Sequence, residues 1–114
     1  AMIRVEPQKD GSFIVNGGEA LNATIKPVPE GGWIFDGTIK FPAHGYTVDK
    51  PFVTNMDTMV GNKLQGSTGM TTFTLPFKYP KQMPATKEPE SFPVNLKFDA
   101  PAKTQFVVML MPSL

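Results

Sequence analysis

The stretch that decides the fold covers residues 92–111 and reads FPVNLKFDAPAKTQFVVMLM. In its first half apolar and polar side chains alternate with a period of two, which predicts a strand with one face in the core and one in water. Its second half, residues 106–111, has no polar residue, and this pattern predicts a strand that is covered on both faces and central in its sheet. Pro101 between the halves favours a tight turn.

Short alternating segments, separated by turns, fill most of the remaining chain. The sequence Asn16-Gly17-Gly18 is the strongest turn signal, because Asn-Gly tolerates the positive φ angles of a hairpin turn. A second glycine, Gly37, interrupts an aromatic segment and indicates a bulge or the close approach of another backbone. The strands expected from these patterns cover residues 2–6, 12–15, 20–26, 32–41, 46–53 and 70–79.

Two segments are predicted to be connections. Residues 54–69 show weak apolar patterning and several glycines, so we expect a long connection with one small strand near residues 58–60. Residues 80–91 (PKQMPATKEPES) contain three prolines and four charged side chains, which indicates a long loop.

These patterns predict an all-β chain of seven to eight short strands, with no segment of helical periodicity. At 114 residues it is expected to form a single antiparallel β-sandwich domain of immunoglobulin-like size, spanning residues 1–114. A small β-barrel is the alternative. The predicted core consists of Trp33, Leu96, Phe98, Phe106, Val108 and Leu110.

Composition excludes several classes of function. The absence of cysteine removes disulfides, thiolate nucleophiles and cysteine-ligated metal sites. The net charge is +1 with dispersed lysines, so we expect no nucleic-acid partner. No apolar run approaches the ~20 residues of a membrane helix, and no transmembrane segment is expected.

Residues that could support catalysis or metal binding are few. His44 is the one histidine and could act as a general base or a ligand, but a lone loop histidine is usually solvated. Met56 and Met59 could complete a soft copper(I) site with His44. Their spacing does not support such a site, and adaptable apolar packing is the favoured interpretation. We therefore expect no enzyme activity, no cofactor and no bound metal.

The remaining function is binding through loops held on a rigid scaffold. We expect the loop at residues 80–91, or an edge strand, to bind another protein, in a non-catalytic binding or assembly domain with an extracytoplasmic (periplasmic or secreted) location. Two alternatives are a protease inhibitor that presents Lys81-Gln82-Met83-Pro84 and the copper-binding protein described above. The sequence does not determine the oligomeric state. The predicted partner-binding residues are Tyr79, Lys81, Gln82, Met83, Lys87 and Glu88.

Overall fold

The computed structural model describes residues 3–60, 63–82, 86–101 and 103–113, and the side chains of residues 56–60 and 63–68 lie outside that description. The described residues contain nine strands and no helix, so no helix in this part of the chain could span a membrane. The strands are β1 (Arg4–Pro7), β2 (Phe13–Asn16), β3 (Leu21–Pro27), β4 (Trp33–Phe41), β5 (Thr47–Val48), β6 (Phe52–Val60), β7 (Lys63–Lys78), β8 (Glu90–Phe98) and β9 (Lys103–Pro112).

The first sheet is antiparallel, with strand order β1-β2-β3-β4-β8. Its first four strands form an antiparallel meander. Gly18 has a φ of 69°, and the Gly17 N–H donates to the Leu21 carbonyl at 2.8 Å, so the predicted turn joins β2 to β3. The sheet is completed by β8, which pairs with β4 from Trp33↔Phe98 to Phe41↔Glu90.

The second sheet is built around β7. Phe73 pairs with Val53 of β6 and with Val108 of β9, so these two strands lie on opposite edges of β7. Phe77 pairs with Val48 of β5 and with β9, which puts β5 on the same edge as β6. The pairing of β7 with β9 is parallel, whereas the other pairings are antiparallel.

The two sheets pack face to face over one aromatic core. Phe35 of the first sheet stacks on Phe73 of the second, with ring centroids 4.1 Å apart and an interplanar angle of 8°. The fold prediction is confirmed: the chain is all-β, with two predominantly antiparallel sheets that do not close into a barrel. Of the predicted core residues, Phe98, Phe106 and Val108 are buried, and Trp33, Leu96 and Leu110 are partly buried against them.

The predicted central position of residues 106–111 is wrong. Within the described residues β9 pairs with β7 alone, and the side chains of Met109 and Met111 are 41% and 37% exposed. The connection at Pro101 joins the two sheets and does not form a hairpin, because β8 and β9 belong to different sheets. The strand whose centre is buried on both faces is β7, where Phe73 is fully buried on one face and Thr74 is 3% exposed on the other.

The long connection predicted for residues 54–69 is also wrong. Strands β6 and β7 continue through this segment, with a register shift between Asp57 and Thr58. Strand formation here depends on the pairing of β6 with β7 more than on an apolar face, so the weak apolar alternation did not reveal the strands.

Gly37 is confirmed as a point of close backbone approach. It pairs with Ala23 of β3 and with Val94 of β8. A Cβ atom at position 37 would collide with the side chain of Ala23 and the carbonyl oxygen of Asn22. Glycine is therefore required at this position by space, although its φ is not positive.

Candidate functional site

Aromatic side chains gather where several strands end at one end of the sandwich. The rings of Phe41, at the end of β4, and Tyr46, in the following loop, stack with centroids 4.3 Å apart and an interplanar angle of 2°. Tyr79, just after β7, lies 5.7 Å from Tyr46 and 5.4 Å from Phe77 between ring centroids. Phe41 and Phe77 continue the core-facing alternation of their strands, so the cluster extends the core toward solvent.

This aromatic cluster forms one wall of an open cleft of about 270 Å³. Leu110 and Pro112 of β9 also line this cleft, and Lys40 contributes a charged side chain. The cleft is smaller than the ~300–1,000 Å³ of pockets that enclose small molecules. It suits one or two apolar side chains of a polypeptide better than a fully enclosed ligand.

A second shallow cleft, of about 340 Å³, adjoins the first across Phe41 and Pro42. Glu19 and Pro89 also line this second cleft. Pro89 belongs to the loop at residues 80–91, so this loop borders the second cleft. The two clefts together form a groove at the end of the sandwich, which we call the aromatic groove.

Hydrogen bonds attach the loop that carries Tyr46 to the proline-rich loop. The backbone N–H of His44 donates to the Thr86 carbonyl at 3.0 Å, and the N–H of Gly45 donates to Glu90 Oε1 at 3.1 Å. The other carboxylate oxygen, Oε2, lies 3.2 Å from His44 Nδ1. Gly45 has a φ of 106°, in the left-handed region that favours glycine. These contacts hold the loop that carries Tyr46 against the proline-rich loop.

Of the predicted partner-binding residues that the structure describes, Tyr79 alone lines the aromatic groove. Tyr79 is 59% exposed and lines the aromatic groove. Lys81, Gln82, Lys87 and Glu88 are exposed on the neighbouring loop but line neither cleft, and Met83 lies outside the described residues.

Sequence reasoning missed Tyr46, Leu110 and Pro112, which also line the groove. A usable signal was present for Tyr46, because FPAHGY and FKYP each place a tyrosine just beyond a phenylalanine that continues a strand. No comparable signal existed for Leu110 and Pro112, since their approach to Tyr79 depends on the pairing of β7 with β9.

The residues of the copper hypothesis are not brought together. His44 is next to Glu90 at the aromatic end, whereas Met56 pairs in register with Met70 on β7. Met70 precedes Phe77 by seven residues, a strand length of ~23 Å at ~3.3 Å per residue. Met59 is farther along β6, opposite Leu64. Within the described residues, no group of three or more histidine, aspartate or glutamate side chains is arranged to hold a metal ion.

Comparison of the chain with protein-family models, curated proteins and solved structures found no match.

Proposed function

We propose that this chain is a non-catalytic binding domain that recognises another protein through the aromatic groove. The observation that carries the proposal is the exposure of Tyr79 beside an apolar cleft whose walls come from both sheets. Tyrosine supplies a large contact area with few rotatable bonds, and such residues dominate the energetics of protein interfaces.

The partner that fits this groove is an extended polypeptide segment with one or two apolar side chains. The open cleft would take an aromatic, leucine or proline side chain against Tyr46 and Tyr79. The exposed charges of Lys81, Lys87 and Glu88 would then form a polar rim, as at other protein interfaces.

Selection from a random peptide library tests the proposal. Peptides that bind the chain should share an apolar residue. Their affinity for the Tyr79→Ser variant should be at least tenfold lower than for the parent, because the substitution removes one wall of the cleft. The matched control is Ile14→Ser, which removes an apolar side chain that is 41% exposed on β2. The proposal fails if no peptide is enriched, or if both variants bind the selected peptides as well as the parent does.

The protease-inhibitor alternative shares this end of the molecule, because Lys81 and Gln82 are exposed beside the groove. Inhibition assays with a panel of proteases separate the two functions. If the chain is an inhibitor, the Lys81→Ala variant should no longer inhibit its protease but should still bind peptides in the groove. The extracytoplasmic location is part of the proposal, and fractionation of the source cells tests it.

A further inference from the structure

The second sheet has an outer face, which points away from the core. In β7 and β9 the residues of this face alternate with the buried Phe73, Leu75, Phe106 and Val108. In β6 they pair in register with the outer positions of β7. The described outer face consists of Phe52, Thr54, Met70, Thr72, Thr74, Pro76, Gln105, Val107, Met109 and Met111.

Large apolar side chains dominate the exposed area of this outer face. Phe52 is 46% exposed, Met109 is 41% exposed and Met70 is 40% exposed. Thr74 pairs with Phe52 on one side and with Met109 on the other, yet it is only 3% exposed. The larger side chains therefore close over the threonine and form a continuous apolar surface across three strands. A contiguous surface of this kind on a protein marks an interaction site.

The outer face carries no charged residue among its ten described positions. Among the described side chains of β7 and β9, the charged ones on this side are Lys78, two residues after Pro76, and Lys103, two residues before Gln105. Lys78 Nζ lies 4.0 Å from Asp49 Oδ2, which offsets its charge. An identical face could pack on this one with no like charges at the centre of contact, where they would be costly.

The outward positions of the first sheet have a different character. They include Lys26 of β3, Asp36 and Lys40 of β4, and Lys97 of β8. Charged side chains of both signs, spread over that sheet, are typical of a solvated surface. The uncharged face is therefore specific to the second sheet.

The size of the outer face fits weak association. Seven residues at ~3.3 Å and three strands at ~4.8 Å give a projected area of ~330 Å² per copy. Side-chain relief increases the accessible area, so two faces would bury roughly 700–1,000 Å² in total, below the ~1,200 Å² of stable interfaces. Methionine and threonine side chains can adjust to a facing sheet, and methionine is well suited to adaptable contacts.

We propose that the outer face is a self-association surface on which a second copy of this chain packs sheet to sheet about a two-fold axis. Each copy presents the same surface, as a two-fold interface requires. Thr74 and its neighbours Phe52 and Met109 form the centre of the contact. This surface is separate from the aromatic groove, so the dimer does not depend on the proposed function.

Sedimentation velocity of the purified chain tests the proposal. The parent should change from monomer to dimer between ~10 µM and ~1 mM, the range expected of a weak interface. Met109→Lys introduces a charge at the centre of the face and should abolish the dimer. The control is Ile14→Lys, which also replaces an apolar side chain with lysine. Ile14 lies on the other sheet and is 41% exposed, as Met109 is, so the dimer should remain. Circular dichroism confirms that both variants fold.

Chemical crosslinking gives a second measurement. Because the chain has no cysteine, Met109→Cys and Ile14→Cys each carry one thiol. A flexible bis-maleimide should join two copies of Met109→Cys and leave Ile14→Cys monomeric. A parent that stays monomeric to ~1 mM overturns the proposal, since even a weak interface should then be occupied. A dimer that survives both Met109→Lys and Phe52→Lys, or one that Ile14→Lys also abolishes, overturns it as well.

Discussion

Replacing Phe73 with alanine removes a side chain at the centre of the sandwich. Phe73 is fully buried, and its ring lies 4.1 Å from that of Phe35 and 5.3 Å from that of Phe98 between centroids. Strand β7 is paired on both edges, to β6 and to β9, so it cannot shift inward to fill the space. We therefore expect the substitution to leave a cavity between the sheets.

The expected loss of stability is about 4 kcal/mol. Phenylalanine-to-alanine changes in protein cores cost ~3–5 kcal/mol, and the lost ring stacking argues against the lower end of that range. Unfolding entropy scales with chain length and is ~0.24 kcal/mol/K for a chain of this size. The melting temperature should therefore fall by about 17 °C.

Thermal and urea unfolding, followed by the fluorescence of Trp33, measures this effect. Trp33 is the one tryptophan, and its ring lies 4.9 Å from that of Phe106, so it reports on the core. Phe52→Ala is the matched control, because the same atoms are deleted from a side chain that is 46% exposed. It should lower the melting temperature by less than ~4 °C. Equal shifts for the two variants, or a shift below ~4 °C for Phe73→Ala, would refute the assignment of β7 as the central strand.

Three further predictions concern the backbone, pH and the proline-rich loop. Gly37→Ala should destabilise the fold by ~1–3 kcal/mol in urea unfolding, because a Cβ atom at this position has no space. Gly18→Ala is the control, because a Cβ atom there meets nothing within 4 Å. It should cost only the strain of its positive φ, about 1 kcal/mol. Hydrogen bonds from the side chain and backbone of Ser12 lower the pKa of Asp10, so this carboxylate contributes stability above its unfolded-state pKa and loses it as pH falls through the lowered folded-state pKa. Urea titrations should therefore show a shallower loss of stability for Asp10→Asn than for the parent between about pH 4 and pH 2, and equal slopes would contradict this. Replacing residues 81–88 with a short Gly/Ser segment should leave the fold intact, because the described side chains there are exposed. Thermal melting should show a loss of stability below ~2 kcal/mol. Unfolding of this variant would show that the loop is structural.

Local patterns in the sequence were sufficient to identify the first four strands of the first sheet, but not the pairing of β8 with β4. These four strands are neighbours in the chain, and turns such as Asn16-Gly17-Gly18 separate clear alternations. The second sheet was harder to predict because its outer face is uncharged. An exposed methionine and a buried one look alike in sequence, so residues 106–111 resembled a strand covered on both faces. Which surface covers a side chain is decided by tertiary packing, which the pattern does not contain.

From the sequence, we could predict only the part of the candidate site that lies next to the proline-rich loop. Tyr79 was identified because it adjoins the proline-rich loop at residues 80–91. The groove also requires Tyr46, Leu110 and Pro112, which come from distant parts of the chain. They meet because β9 runs parallel to β7 and delivers its end to the same end of the sandwich. Sequence spacing holds no information about such an encounter.

The order of the strands makes the two sheets depend on each other during folding. Strands β5, β6 and β7 of the second sheet are inserted between β4 and β8, although β4 and β8 are neighbours in the first. Strand β8 in turn separates β7 from β9, its partner in the second sheet. Neither sheet can be completed until most of the other has been synthesised, and the closing contacts join residues far apart in sequence, such as Gly37 and Val94. Folding should be slow for a chain of this length, and the two sheets should unfold together in one cooperative transition.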